Sequence, residues 1–276
     1  MKLSLCNEVL REWPFAKQCE FAASLGYQGL EVAPFTLFQN PAELGPSLAA
    51  RIKSEAQAQG LVISSLHWLL VQPEGLSMVS TDRTVRKHTF DWIARLIEFA
   101  HACDAQVLVH GSPAQRNPLD GQGVGDAIVQ FEAMLHRIAP IARDAGVIYC
   151  LEPLSRKETS VVNTVAEAAA IVGRIGSPHL RTMLDASAAA QSEAAPIDAV
   201  LDHYLASGDI AHIQVNDANR RGPGQGDTNL LPLVRALKRH HYAGWIAVEP
   251  FIYQPDGPAT AAFSAGHMQA LQRAAL

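Results

Sequence analysis

The sequence predicts a single (β/α)8 barrel, an α/β fold in which residues 1–276 form one domain. Short apolar runs alternate with longer amphipathic segments eight times, as parallel strands joined by crossover helices do. Such crossovers are right-handed, so eight in succession can close on themselves. Each apolar run also ends in a polar residue capable of chemistry, and 276 residues suit one barrel of roughly 250.

Taken in order, residues 3–6 read as the first strand and 14–25 as the first helix, stopped at Gly26. Strand 28–32 and helix 46–59 follow, ended by Gly60, then strand 61–66. A long helix over 81–103 is expected next, with Ser80 or Thr81 as its cap ahead of Asp82. Residues 106–109 form the fourth strand, before a helix over 125–145 closed by Gly146. The second half repeats the pattern: strands 147–151, 180–184, 210–215 and 245–248, with helices 165–175 (capped by Thr164), 197–206 and 230–240 between them. A last helix over 258–274 would close the foot of the barrel. No composition shift or Ser/Gly/Pro-rich linker divides the chain.

Composition excludes several function classes. A hydrophobic share of 48% supplies a sizeable core and rules out a disordered chain. A net charge of −5 argues against nucleic acid, whose phosphates need a clustered positive field. Cys6, Cys19, Cys103 and Cys150 lack metal-site or redox spacing and read as reduced core thiols. Neither a signal-peptide pattern nor an apolar stretch of the ~20 residues that span a bilayer is present, so no membrane association and a cytoplasmic location are expected.

The polar strand ends are, in order, Asn7, Glu31, His67, His110, Glu152, Asp185, His212 with Gln214, and Glu249. In a closed barrel they converge on the C-terminal mouth, where such enzymes act. Glu152, Asp185, Gln214 and Glu249 bring three carboxylates and an amide oxygen from the last four strands. Solvated strand ends without an ion would leave those carboxylates repelling one another; one divalent cation relieves this. Thiol-free oxygen coordination suits Mn²⁺, Mg²⁺ or Co²⁺. Glu31, His67 and His110 are further pocket candidates for substrate. Trp13, Trp68 and Phe251 could form an aromatic wall or belong to the core.

The runs Leu151-Glu152-Pro153, Leu184-Asp185, His212-Ile213-Gln214-Val215-Asn216-Asp217 with Arg220, Pro223-Gly224-Gln225-Gly226 and Val248-Glu249-Pro250 carry a resemblance over essentially the whole chain. The sequence resembles the sugar phosphate isomerase/epimerase family with the xylose isomerase-like barrel. That family includes ketose 3-epimerases, hydroxypyruvate isomerase, inosose dehydratase and 3-dehydroshikimate dehydratase. The resemblance implies that Glu152, Asp185, Gln214 and Glu249 hold one divalent metal, Mn²⁺ first among the choices. It implies that Glu152 and Glu249 exchange a substrate proton on opposite faces through a metal-bound enediolate. His212 would support the ligands from behind, and Arg156, Glu158 and Arg220 would touch a sugar or keto-acid substrate. The glycine-rich loop 222–227 would form a backbone-lined wall or flap over the pocket.

One departure bears on the reaction. Ketose epimerases carry a histidine three residues after the sixth-strand aspartate, and here Ala188 stands there. A dehydratase or decarboxylase of a keto-sugar or cyclic keto-polyol is the alternative, since both begin from the same enolate. An endonuclease-IV-like metal cluster is matched only in part by His67, His110, Glu152, Asp185 and Asp227, with Ala188 and Asn229 where histidines belong. A non-catalytic sugar-binding barrel would lack one of the two glutamates. The resemblance also implies a homodimer or homotetramer.

Overall fold

The computed structural model describes residues 1–275 as a closed barrel of eight parallel strands in sequential order. The strands are β1 (Lys2–Cys6), β2 (Gly29–Val32), β3 (Val62–Leu66), β4 (Val107–His110), β5 (Ile148–Leu151), β6 (Leu180–Asp185), β7 (Ile210–Val215) and β8 (Trp245–Val248). Pairing of Ser4 with both Gly29 and Ala247 closes the ring at β1.

Among the described residues ten helices surround it: α1 (Phe15–Ser24), α2 (Pro46–Gln57), α3 (Arg83–Ala102), α4 (Pro113–Arg116), α5 (Val124–Asp144), α6 (Val165–Ile175), α7 (Ala186–Ser192), α8 (Ile197–Ala206), α9 (Leu231–Arg239) and α10 (Gly257–Ala274). None is long and apolar enough to cross a membrane. Side chains alternate between the two faces of each strand, so the core has two parts. Leu30, Leu66, Leu108, Leu184 and Ile213 face the helices and pack with Ile52, Ile93, Phe131 and Leu237 in one cluster. Val107, Val109, Cys150 and Met183, all strand residues, form a second cluster inside the barrel.

Three local features add to or alter the expectations. Asp82, rather than Ser80 or Thr81, caps α3, because its carboxylate accepts hydrogen bonds from the backbone of Thr84 at 2.7 Å and Val85 at 3.1 Å. Asp82→Ala should cost about 1 kcal/mol, read as a lower thermal midpoint with unchanged activity. The Ala-rich run after β6 is a helix, α7, because Asp185 caps it through Ala188 N–H at 2.7 Å. The glycine-rich loop lies against α10: a Cβ on Gly222 would overlap Ser264, and one on Gly224 would overlap His267. Small residues let that backbone lie flat on a helix.

Candidate active site

The mouth is built around Glu31, which is fully buried. Its Oε1 accepts from Gln214 Nε2 at 2.7 Å and Cys6 Sγ at 3.2 Å; its Oε2 accepts from Ser65 Oγ at 2.5 Å and lies 2.6 Å from His212 Nε2. Burial pushes the Glu31 pKa up, but the charges of His212 and His67 and the bonds from His212 and Ser65 outweigh it, holding the group well below the usual carboxylate range. Ringed in this way, Glu31 orients neighbours instead of meeting substrate. A carboxylate only accepts, so it draws the Gln214 amide nitrogen to itself and turns Gln214 Oε1 the other way. His212 is linked to Gln214 through Glu31.

His67 sits between two acids. Its Nδ1 is 2.9 Å from Glu249 Oε1 and its Nε2 is 3.3 Å from Glu8 Oε2. Burial lowers the His67 pKa, yet Glu8, Glu249 and Glu31 together raise it well above the ordinary value. Glu8, only 5% exposed, was not among the sequence candidates. The chain turns into a 3-10 helix at Asn7–Leu10, which carries Glu8 back over His67. An acid followed directly by two apolar residues, Val9 and Leu10, was the available signal. Asn7 itself is structural: its Oδ1 accepts from Ala33 N–H at 2.8 Å and its Nδ2 donates to Thr36 at 2.7 Å.

Asp185 Oδ2, Gln214 Oε1 and Glu249 Oε2 are buried without a hydrogen-bond partner, one each from the ends of β6, β7 and β8. Burial, then the charges of Glu249 and Asp185, raise the Glu152 pKa well above its ordinary value. Burial pushes Glu249 up to about 8 against the pull of His67, and pushes Asp185 up to about 7. Unpartnered anionic and amide oxygens beside mutually repelling carboxylates fit a hard divalent cation. Among the described residues, the His, Cys, Asp and Glu groups whose donor atoms all lie within 4.8 Å of one another are Cys6, His67 and Glu249. That set shares Glu249 with the sequence-based one. Its thiol is pushed well above its ordinary pKa, first by burial, and donates to Glu31, which makes it a poor ligand in the metal-free chain.

A cavity of about 160 Å³ opens beside Glu152 and Asp185, lined also by Glu158, Ser187, Ala188, Arg220 and Phe251. The Arg220 guanidinium lies 4.5 Å from the Phe251 ring centre. Trp68 stacks between Phe35 and Phe251 at 5.8 and 5.9 Å, whereas Trp13 packs edge-on against Phe21. Two substrate candidates lie elsewhere. Arg156 is exposed, with its guanidinium on Asn163 Oδ1 at 3.4 Å. His110 bonds Tyr149 at 2.7 Å and packs against Phe131 of α5, on the strand face opposite Val109. Burial lowers its pKa to about 3, so it stays neutral.

Glu152 is held by its backbone. Its N–H donates to His110 O at 3.2 Å and its carbonyl accepts from the fully buried Arg116 at 2.8 Å. A Cβ on Gly111 would overlap Glu152 Oε2. Gly111→Ala therefore displaces a flexible carboxylate rather than backbone. Turnover should fall by roughly 10²-fold, as a 1 Å misplacement of a catalytic group can cost, with the thermal midpoint almost unchanged. Unaltered turnover would show that Glu152 takes no part.

The xylose isomerase-like TIM barrel model matches residues 19–271. The D-psicose 3-epimerase of Agrobacterium fabrum (strain C58) is 28% identical, over 87% of this chain and 81% of its own length. A probable ketose 3-epimerase of Synechocystis sp. is 24% identical over 83% of this chain and 76% of its own. Among solved structures, D-psicose 3-epimerase from Clostridium cellulolyticum H10 with D-tagatose superposes with a TM-score of 0.82 at 19% identity, covering 100% of this chain and 99% of the other. The 3-keto-D-glucoside 4-epimerase of E. coli gives 0.81 at 18% identity, with 99% of each chain covered. The chain thus belongs to the xylose isomerase-like TIM barrel family and is an enzyme of the isomerase and epimerase kind.

Proposed function

We propose that this chain is a divalent-metal-dependent sugar epimerase or isomerase in which Glu152 and Glu249 exchange a proton at a carbon next to a carbonyl. The observation that carries the reading is the pair of buried glutamates at the ends of β5 and β8, both with raised pKa, beside three unpartnered oxygens. Glu152, Asp185, Gln214 and Glu249 would hold the ion, Mn²⁺ first, with Mg²⁺ or Co²⁺ as substitutes. When bound, the cation supplies the charge that acidifies the substrate C–H and stabilises the enediolate. The chain does the remainder. One glutamate takes the proton as a carboxylate while the other, kept protonated by its raised pKa, returns one. His67 orients Glu249 through Oε1. Glu31 holds the Gln214 amide nitrogen, which would leave Gln214 Oε1 to face the ion.

A second reading, a dehydratase or decarboxylase starting from the same enediolate, is favoured by Ala188. It lines the cavity and brings no group to hold a ketose carbonyl. Proton–deuterium exchange in D₂O separates the two. With Mn²⁺, an epimerase returns a deuterated ketose, a lyase a smaller or dehydrated product. Absence of exchange over ketoses, keto-acids and inososes alike would refute both.

The same groups set a pH dependence. Glu249 and Asp185 ionise near 4.5 and 3.8 ordinarily and at about 8 and 7 when folded, so the folded chain holds protons that the unfolded chain has lost. Stability contributed by these groups therefore falls as pH rises through that window. His67 acts in the same direction, because its raised pKa gives stability that is full below 6.5 and lost above the folded value. Glu31 acts in acid, where its stabilisation disappears as pH falls below 4.5. The thermal midpoint of chelator-treated protein should thus decline between pH 5 and pH 8. Mn²⁺ at about a hundred times its Kd should add about 2.7 kcal/mol and flatten the decline. A midpoint rising over that range, or indifferent to Mn²⁺, would contradict the metal site.

A further inference from the structure

The loop after β5 carries two acids of the mouth, Glu152 and Glu158, and is stitched to itself. Asn163 Nδ2 donates to Leu154 O at 2.8 Å and to Thr159 O at 2.9 Å. The loop is also fastened to α4, a single helical turn. Arg116 at the end of α4 donates from Nη1 to Glu152 O at 2.8 Å, and Asn117 just beyond it donates from Nδ2 to Glu158 O at 3.2 Å. Two consecutive residues thus grip both ends of the acidic segment. The helical turn is tied in its turn to the loop after β3. Leu70 N–H donates to Ser112 Oγ at 3.2 Å, and Met78 N–H to Gln115 O at 2.8 Å.

Arg116 is a costly residue to keep there. It is fully buried, its Nε and Nη2 have no hydrogen-bond partner, and among the described residues it is in no ion pair. Burial lowers its pKa to about 10 against the pull of Glu152 and Glu158, so it is still a cation at neutral pH. A buried charge without a paired partner opposes folding. The bond it does make, from a charged donor, is of the strong kind, and it ends on the backbone of Glu152. The Glu152 carboxylate in turn stands where a Cβ on Gly111 would be. A backbone shift at Glu152 therefore cannot be absorbed by moving the carboxylate closer to the chain after β4.

We infer that Arg116 is a positioning residue: through the Glu152 carbonyl it fixes where the Glu152 carboxylate stands against one face of the substrate, while Asn117 holds the far end of the same segment. The inference rests on the two-glutamate reading above.

The test is R116K, which keeps a buried cation but loses the reach and plane of the guanidinium. D-Fructose and D-psicose differ only in configuration at C3, so they present that C–H to opposite glutamates. In Mn²⁺-saturated protein in D₂O, the initial rate of C3–H loss from each sugar reports one glutamate acting as base. In R116K the rate should fall about 10²-fold for one sugar, as a 1 Å misplacement can cost, and less than about threefold for the other, with both KM values nearly unchanged. A general loss of structure would slow both alike. Calorimetric titration of Mn²⁺ alone is independent of turnover, and its affinity should fall about tenfold in R116K, as on losing a group that orients a ligand. Should R116K not fold, R116M, which carries no buried charge, is read by the same C3–H rates. Equal slowing of the two sugars, or no slowing, overturns the role of Arg116 while leaving enolisation standing. If the parent removes C3–H from neither sugar, the Mn²⁺ titration decides. A fall in affinity then upholds Arg116 and overturns enolisation of these sugars; unchanged affinity overturns both.

Discussion

Replacing Glu152 or Glu249 by Gln is expected to abolish deuterium exchange while leaving the barrel folded. General acid–base catalysis is worth roughly 10²–10⁴-fold, and each substitution also removes an anionic oxygen donor, so the loss should exceed about 10³-fold. Stability should move the other way. Burial raises the pKa of both groups, so keeping either ionised at pH 8 costs the folded state free energy that a neutral amide avoids. Each variant should therefore melt at or above the parent temperature in chelator at that pH. Near-normal exchange in either would end the two-glutamate exchange. A collapsed melting temperature would mean that the carboxylates serve the fold.

The largest stability effect should come from Glu31. In Glu31→Ala, His212, Ser65, Cys6 and the Gln214 amide all lose their acceptor inside a sealed interior. Removing one member of a buried ion pair costs about 3–5 kcal/mol. At ~2–4 °C per kcal/mol for a chain somewhat below this size, the midpoint should drop by roughly 10 °C. Glu31→Gln keeps the shape but can offer N–H to Gln214, removing the reason for Gln214 Oε1 to face the mouth. Its Mn²⁺ affinity should fall about 10–100-fold, the usual effect of losing a group that orients a ligand, as calorimetric titration would show. If Glu31→Ala melts within about 2 °C of the parent, Glu31 is not the hub of this network.

Much of this arrangement was legible in the residues. Eight apolar runs, each closed by a polar residue, foretold the closed barrel and put Glu152, Asp185, Gln214 and Glu249 at one end of it. The uniformly apolar β4 hid which face His110 would take. Its neighbours Val107 and Val109 turn inward, so His110 meets Phe131 outside the barrel. Glu31 ends its strand as Glu152 does, but Gln214, Ser65, Cys6 and His212 come from three other strands, and local sequence does not show that they meet. Asp185 was read for its charge. That it also caps α7 was written in the alanines after it, where the sequence reading placed no element.

Crystals grown with Mn²⁺, with anomalous scattering recorded at the manganese edge, test the central claim most directly. One ion should lie about 2.0–2.2 Å from oxygen atoms of Glu152, Asp185, Gln214 and Glu249, the spacing of hard oxygen coordination. An ion held instead by Cys6, His67 and Glu249, or no bound ion at saturating Mn²⁺, would contradict it.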